Sequence, residues 1–198
     1  MVLKRIFDII CAVPLIVILF PFMIIISIVI IIDSRGGIFF LQNRVGKANR
    51  DFRLIKFRTM YTGSDKKGLL TVGSKDVRIT KAGYFLRKTK LDELPQVFNV
   101  LAGSMSFVGP RPEVRKFVDM YDMEQLAVLK MKPGITDDAS LKYFNENDVL
   151  SASSDPEKTY IETVMPDKLK INLDYVKNYS FWLDIKILFR TFIRMIGF

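Results

Sequence analysis

IICAVPLIVILFPFMIIISIVIII, residues 9–32, is a run of 24 residues without a charge. As one helix it would extend roughly 36 Å at 1.5 Å per residue, enough to cross a bilayer core. The run is too long for a signal peptide and no small-residue cleavage site follows it. A soluble domain could hardly cover it, so it reads as membrane-inserted. Pro14 and Pro21 lie inside, and Pro21, near the middle, removes a backbone hydrogen bond and bends the chain. Lys4 and Arg5 precede the run; Arg35, Arg44, Lys47, Arg50 and Arg53 follow it. Basic flanks prefer the cytoplasm, so both ends belong on one face. A re-entrant hairpin over residues 1–33, with its membrane break at Pro21, fits these charges. A kinked transmembrane helix is the alternative.

Working outward, residues 181–198 read FWLDIKILFRTFIRMIGF. Lys186, Arg190 and Arg194 recur every four residues and form one polar stripe on a helix. Aromatic and aliphatic residues fill most of the remainder, which suits a helix lying in the headgroup plane. Packing on the protein's own core is the alternative. Residues 34–180 between the two segments read as one catalytic domain, α+β and mainly helical with a small sheet.

Short strands are expected at 38–42 and 52–60, a loop over Gly63–Gly73, and helices over 76–88, 92–101 (stopped near Gly103), 113–130 and 166–178. Pro133-Gly134 breaks the chain, and 145–159 reads as a polar surface segment.

The 198 residues carry a formal net charge of +9. Lys4, Arg5, Asp8 and Asp33 cancel within residues 1–33, so the excess lies beyond them. Such a surface attracts acidic lipid or phosphorylated substrates. No nucleic-acid-binding motif is legible, and nucleic acid is not expected as a partner. There is no histidine and the single cysteine is Cys11. Disulfides, His/Cys zinc sites and Ser-His or Cys-His nucleophiles are thereby excluded.

Chemistry must then come from residues such as those of KTKLDELPQVFNVLAGSMSFVGPRPE, 88–113. Thr89 can cap a helix whose first turn holds Asp92 and Glu93. Acids there are also what a helix dipole favours, by about 0.3–1 kcal/mol. Adjacent helical residues diverge by about 100°, so the two carboxylates cannot share a proton. Divided labour fits better: one attacks, the other holds a hard cation, with Glu93 as the metal ligand. Neighbouring cations would keep both ionised. Arg111, between Pro110 and Pro112, is a preset phosphate fork.

LDELPQVFNVLAGSMSFVGPRPE resembles the signature of the bacterial sugar transferase family, the monotopic phosphoglycosyl transferases. KRIFDII (4–10), LQNRVG (41–46), KFRTM (56–60), LRKTKLDELPQ (86–96), SFVGPRP (106–112), KPGIT (132–136) and YVKNYSFWLDIKIL (175–188) follow in the family's order. The resemblance implies a monotopic enzyme on the cytoplasmic face of the bacterial inner membrane, among its lipids. It would take a UDP-sugar and Mg²⁺, with undecaprenyl phosphate as acceptor, at the first membrane step of glycan assembly. Asp92 would attack the sugar-bearing phosphate and expel UMP, with Glu93 associated with the metal. Arg111 matches the family's phosphate-binding arginine, and Arg87 and Lys56 match further basic positions. The length resembles the core-only members. Direct attack by the lipid phosphate, and a non-catalytic scaffold binding phosphorylated lipids, are the alternatives. Two departures stand out: Phe20-Pro21 replaces Ser-Pro at the membrane break, and PGIT continues as DDASLKYFNEN (137–147). Asp137 and Asp138 read as surface turn residues rather than substrate contacts. The residues name neither the sugar nor the oligomeric state.

Tags at residues 1 and 198 are both expected to react with reagents confined to the cytoplasm. A periplasmic residue 1 would overturn the re-entrant reading.

Overall fold

A computed structural model describes residues 2–64 and 76–197. The expected loop over 63–73 lies, beyond Ser64, outside the described residues. The chain is mostly helical. Helix α1 (Val2–Asp33) carries one inward stripe: Ala12, Met23 and Ile30 are buried, and Leu15, Ile16, Leu19 and Ile26 pack partly against the same core. The three-to-four-residue spacing is that of one helical face. Val17, Ile18, Phe22, Ile25 and Ile32 are left exposed. Pro14 and Pro21 both lie inside this one helix. Pro21, expected to break the run, costs it a hydrogen bond while the rest of the ladder continues.

All four charges of α1 are committed to the domain. Lys4 Nζ donates to Asp184 Oδ2 at 2.6 Å, and Tyr175 donates to the other Asp184 oxygen at 2.6 Å. Arg5 donates to the carbonyls of Val100 (2.6 Å) and Leu101 (2.8 Å), at the negative end of a later helix. Asp8 accepts from Ser106 Oγ at 2.9 Å and Phe107 N at 3.2 Å. Asp33 accepts from Ala82 N at 3.0 Å. Arg58 then caps the C-terminal end of α1, donating to the carbonyls of Ser34 (2.7 Å) and Ile30 (3.3 Å). The helix is therefore fastened to one body at both ends.

Strands β1 (Phe39–Val45) and β2 (Asp51–Phe57) form an antiparallel hairpin, Phe39 opposite Phe57. The sequence suggested one small sheet; there is a second, in which β3 (Ser106–Val108) runs parallel to β4 (Gly134–Thr136). Helix α2 (Lys81–Lys88) starts later than expected because Thr80 is its cap, accepting from Gly83 N at 2.9 Å. Helix α3 (Gln96–Ala102) stops at Gly103, φ +86°, the left-handed conformation glycine adopts freely.

The expected helix over 113–130 is divided. Only α4 (Arg115–Val118) and a 3₁₀ segment, Gln125–Lys130, form. Asp122 and Gln125 exchange side-chain and backbone hydrogen bonds at 2.8 and 3.0 Å, a capping box that restarts the chain at 122. The polar stretch 145–159 is helical, as α6 (Glu146–Ser151) and α7 (Pro156–Thr159), following α5 (Asp138–Lys142). Asp155 caps α7 and Pro156 is preset for its first turn. A π turn, Tyr160–Val164, leads into α8 (Met165–Lys177), and α9 (Phe181–Met195) follows. Asp184 and Ile187 dock α9 on the domain, while Trp182, Phe189 and Phe192 remain exposed. One face of this segment packs on the domain, as the alternative reading expects, and the other is left exposed.

Lys4→Met leaves Asp184 buried without its cation. The expected cost is about 3–5 kcal/mol, read by thermal unfolding in detergent. The double variant Lys4→Met/Asp184→Asn is expected to recover a large part of it.

Candidate active site

The acidic pair does not open α3. Thr89, expected as an N-cap, closes α2 instead: its hydroxyl donates to the carbonyls of Phe85 (2.8 Å) and Leu86 (3.3 Å). A threonine hydroxyl satisfies preceding carbonyls as readily as following amides, and sequence does not say which. Lys90 turns the chain at φ +58°, uncommon for a residue with a side chain. Asp92 and Glu93 then lie in a 3₁₀ turn, Leu91–Glu93, and Pro95 leads into α3.

Lys56, Glu93 and Arg111 converge here from β2, the turn and the loop after β3. Glu93 Oε1 accepts from Lys56 Nζ at 2.9 Å. The Arg111 guanidinium grips the same carboxylate with both terminal nitrogens, one at 3.2 Å from Oε2, the other on Oε1. Asp92 is different. It is 8% exposed, yet among the described residues no group donates a hydrogen bond to it. Arg87 and Lys90 add positive charge around it.

The two carboxyls are driven apart. Burial pushes Glu93 up, but Arg111 and Lys56 outweigh it and hold the group well below the usual carboxylate range. Burial pushes Asp92 up, the Glu93 charge adds to this, and Lys56, Arg87 and Lys90 offset only part. The expectation that the neighbouring cations favour the ionised form therefore holds for Glu93, whereas at Asp92 burial outweighs them and raises the carboxyl above its ordinary value. Arg111 is raised, chiefly by Glu93, whereas burial lowers Lys56 and Arg87.

The frame behind Arg111 comes from two glycines. A Cβ on Gly109 would lie 2.4 Å from the Lys132 carbonyl oxygen, and one on Gly134 would lie 2.1 Å from Gly109 N. The two chains pass too closely for side chains. They exchange hydrogen bonds, Gly109 N to Thr136 O at 3.0 Å and Gly134 N to Pro110 O at 3.1 Å. Asp137, read from sequence as a surface turn residue, is 0% exposed. Its carboxylate accepts from Arg111 N at 3.0 Å and Ser140 N at 2.6 Å, joining the Arg111 loop to the start of α5. An Asp just before a helix signals a cap; its second partner, 26 positions away, leaves no local trace. Asp138 pairs with Arg190 at 3.1 Å. Sequence reasoning also passed over Asn99, which accepts from Ile55 N at 2.9 Å and donates to Arg53 O at 2.8 Å, fixing β2 and hence Lys56.

The sequence model described as bacterial sugar transferase matches residues 1–197. The chain is 41% identical over 192 residues to an Aeromonas hydrophila protein, UDP-N-acetylgalactosamine-undecaprenyl-phosphate N-acetylgalactosaminephosphotransferase, covering 96% of this chain and 42% of that one. It is 38% identical over 200 residues to UDP-glucose:undecaprenyl-phosphate glucose-1-phosphate transferase of Xanthomonas campestris pv. campestris, covering 99% and 39%. It is 36% identical over 191 residues to the uncharacterized sugar transferase EpsL of Bacillus subtilis (strain 168), covering 96% and 86%. The chain thus spans about two-fifths of the first two relatives and most of the third.

Glu93→Gln removes the anion that two cations share and is expected to lower stability by about 1–3 kcal/mol, discounted for partial exposure. Asp92→Asn removes a buried charge that receives no hydrogen bond among the described residues, so the melting temperature is expected to hold or rise. Thermal unfolding of both in one detergent decides; equal losses would contradict the asymmetry.

Proposed function

The chain belongs to the bacterial sugar transferase family, and on that footing we propose that it moves a sugar-1-phosphate from a UDP-sugar to undecaprenyl phosphate, releasing UMP. The observation that carries the reading is the asymmetry of the acidic pair. Glu93 is held by two cations, while its neighbour Asp92 is buried, receives no hydrogen bond among the described residues, and is free to attack. A covalent route follows. An Asp92 oxygen bonds to the sugar-bearing phosphorus, the bond from that phosphorus to the UMP oxygen breaks, and UMP leaves. A phosphate oxygen of the lipid then attacks the same phosphorus. The bond to Asp92 breaks, the carboxylate is restored, and the lipid carries a diphosphate-linked sugar.

Anionic phosphate and anionic carboxylate repel, and Arg111, Lys56 and Arg87 offset this. Asp137 holds the Arg111 backbone, so the fork is oriented before the donor arrives. Among the described residues no group of three acids or other metal-binding side chains forms a cage. That suits Mg²⁺, which commonly takes one or two carboxylates together with substrate phosphates. Glu93 would be its ligand here, and the ion would supply charge neutralisation at the diphosphate. A diphosphate that takes over Arg111 would free Glu93 for that role.

The membrane reading is monotopic, on the cytoplasmic face of the inner membrane. It assigns residues 1–33 to the re-entrant segment, 34–180 to catalysis and 181–198 to the bilayer surface. It is supported by the stripe of α1 that stays against the domain from Lys4 to Asp33, where a crossing helix would depart from it. The exposed apolar sides of α1 and α9 add to this; Phe7 and Phe181 meet edge to face at 5.4 Å, so the two helices are neighbours.

UDP-glucose and UDP-N-acetylgalactosamine, the donors in the relatives' names, are the first to test. One of a UDP-sugar panel is expected to release UMP up to about one equivalent per enzyme before any acceptor is added, with double-reciprocal lines parallel on adding it. A phosphosugar adduct is expected on the peptide holding Asp92, and none with Asp92→Asn. Intersecting lines without an adduct, in an enzyme that turns over, would replace the covalent route by direct transfer.

A further inference from the structure

We propose that the phosphate of the lipid acceptor is received by Lys90 and Arg194, two cations that converge on the ring of Phe144; this rests on the transfer reading above. Lys90 Nζ lies 5.5 Å from the Phe144 ring centroid and Arg194 Cζ lies 5.2 Å from it. Three separate parts of the chain meet there: the residue that turns α2 into the acidic pair, the segment after α5, and the last turn of α9.

Neither Lys90 nor Arg194 makes a side-chain hydrogen bond or ion pair among the described residues. Their neighbours do: Arg190, one turn earlier on α9, pairs with Asp138 at 3.1 Å, and Lys168 pairs with Glu146 at 2.8 Å. A ring face attracts a cation only weakly in water, so an anion within reach of both would hold them more strongly than the ring does. A phosphate monoester, with a charge of about −1.5 to −2 at neutral pH, matches the pair.

Position selects which phosphate. Lys90 is two residues from Asp92 and contributes to the field on its carboxyl. Its left-handed backbone, φ +58°, is the kind of strained conformation that gathers at working sites. Arg194 closes a helix whose outer side exposes Trp182 (74%), Phe189 (64%) and Phe192 (61%). The site therefore joins an apolar surface to the nucleophile. Its ligand arrives from the apolar side and carries a terminal phosphate, as a long-chain isoprenoid phosphate does. The donor diphosphate has a different set of cations, Arg111 and Lys56, gathered on Glu93.

Binding of a short-chain polyprenyl phosphate and of the matching polyprenol is measured on the full chain in nanodiscs, by the fluorescence of Trp182, the one tryptophan. Wild type is expected to prefer the phosphate. Lys90→Gln and Arg194→Gln are each expected to weaken phosphate binding about tenfold, or 1.4 kcal/mol, and to leave the alcohol unchanged, while Lys90→Arg restores the preference. A merely structural role would move both ligands together. The proposal is overturned if the preference survives both substitutions, or if phosphatidylglycerol in the nanodisc displaces the phosphate equally well, which marks a general headgroup surface. UMP release keeps the two readings apart. If it occurs while the preference survives substitution, the acceptor site is wrong and the transfer stands. If it fails with every UDP-sugar while the substitutions abolish the preference, the lipid-phosphate site stands and the transfer does not.

Discussion

Four charges on one apolar helix determine how the rest of the molecule is arranged. Lys4, Arg5, Asp8 and Asp33 each end on a partner in the domain, and none of those partners lies on α1 itself. Asp184 belongs to α9, the Val100 and Leu101 carbonyls to α3, Ser106 and Phe107 to β3, and Ala82 to α2. A charge beside an apolar stripe is costly to leave unpaired away from water. The rotation of α1 about its axis is therefore set by its polar partners, and the greasy stripe between them follows. Once α1 is turned this way, α3 and β3 are held against it, and these elements carry or flank the acidic pair and the Arg111 loop.

Within that frame the site depends on two close approaches. Gly109 and Gly134 allow the Arg111 loop and β4 to touch backbone to backbone, which brings Asp137 beneath the loop. Asn99 does the same for Lys56 from the other side by occupying the free edge of β2. Arg44 and Tyr160 secure the far end of the Arg111 loop through Glu113, the former at 3.1 Å. Supports of this kind fix side chains to within the tolerance that phosphate chemistry needs, because a charge-assisted hydrogen bond loses much of its strength when misdirected. The result is an asymmetric pair: one carboxylate clamped and ionised, its neighbour buried and, among the described residues, without a hydrogen-bond donor.

The local signals were legible. The apolar run, the helix end at Gly103, the two strands of the hairpin and the placement of Asp92, Glu93 and Arg111 in distinctive blocks all follow from periodicity, turn chemistry or residue type. Thr89 suits the start of one helix and the end of another equally well, because a hydroxyl caps in either direction. The stretch 113–130 has helical spacing, yet the Asp122–Gln125 box interrupts it. Asp137 reads as a surface turn residue, although its carboxylate is buried and accepts from Arg111 N and Ser140 N.

By itself, the sequence determined which segments avoid water, which chemistry is excluded by the lack of histidine, and which acids and cations are available. These properties belong to residue types and short spacings, where the interacting atoms are covalent neighbours. Tertiary structure alone decided how the charges are shared. Lys56 lies 37 positions from Glu93, and Arg111 lies 18 from it. Coulomb energy depends on distance and on the solvent excluded around the charges. Only the folded chain sets either, and so only the fold makes one of two adjacent carboxylates a clamped anion and leaves the other, among the described residues, without a hydrogen-bond donor.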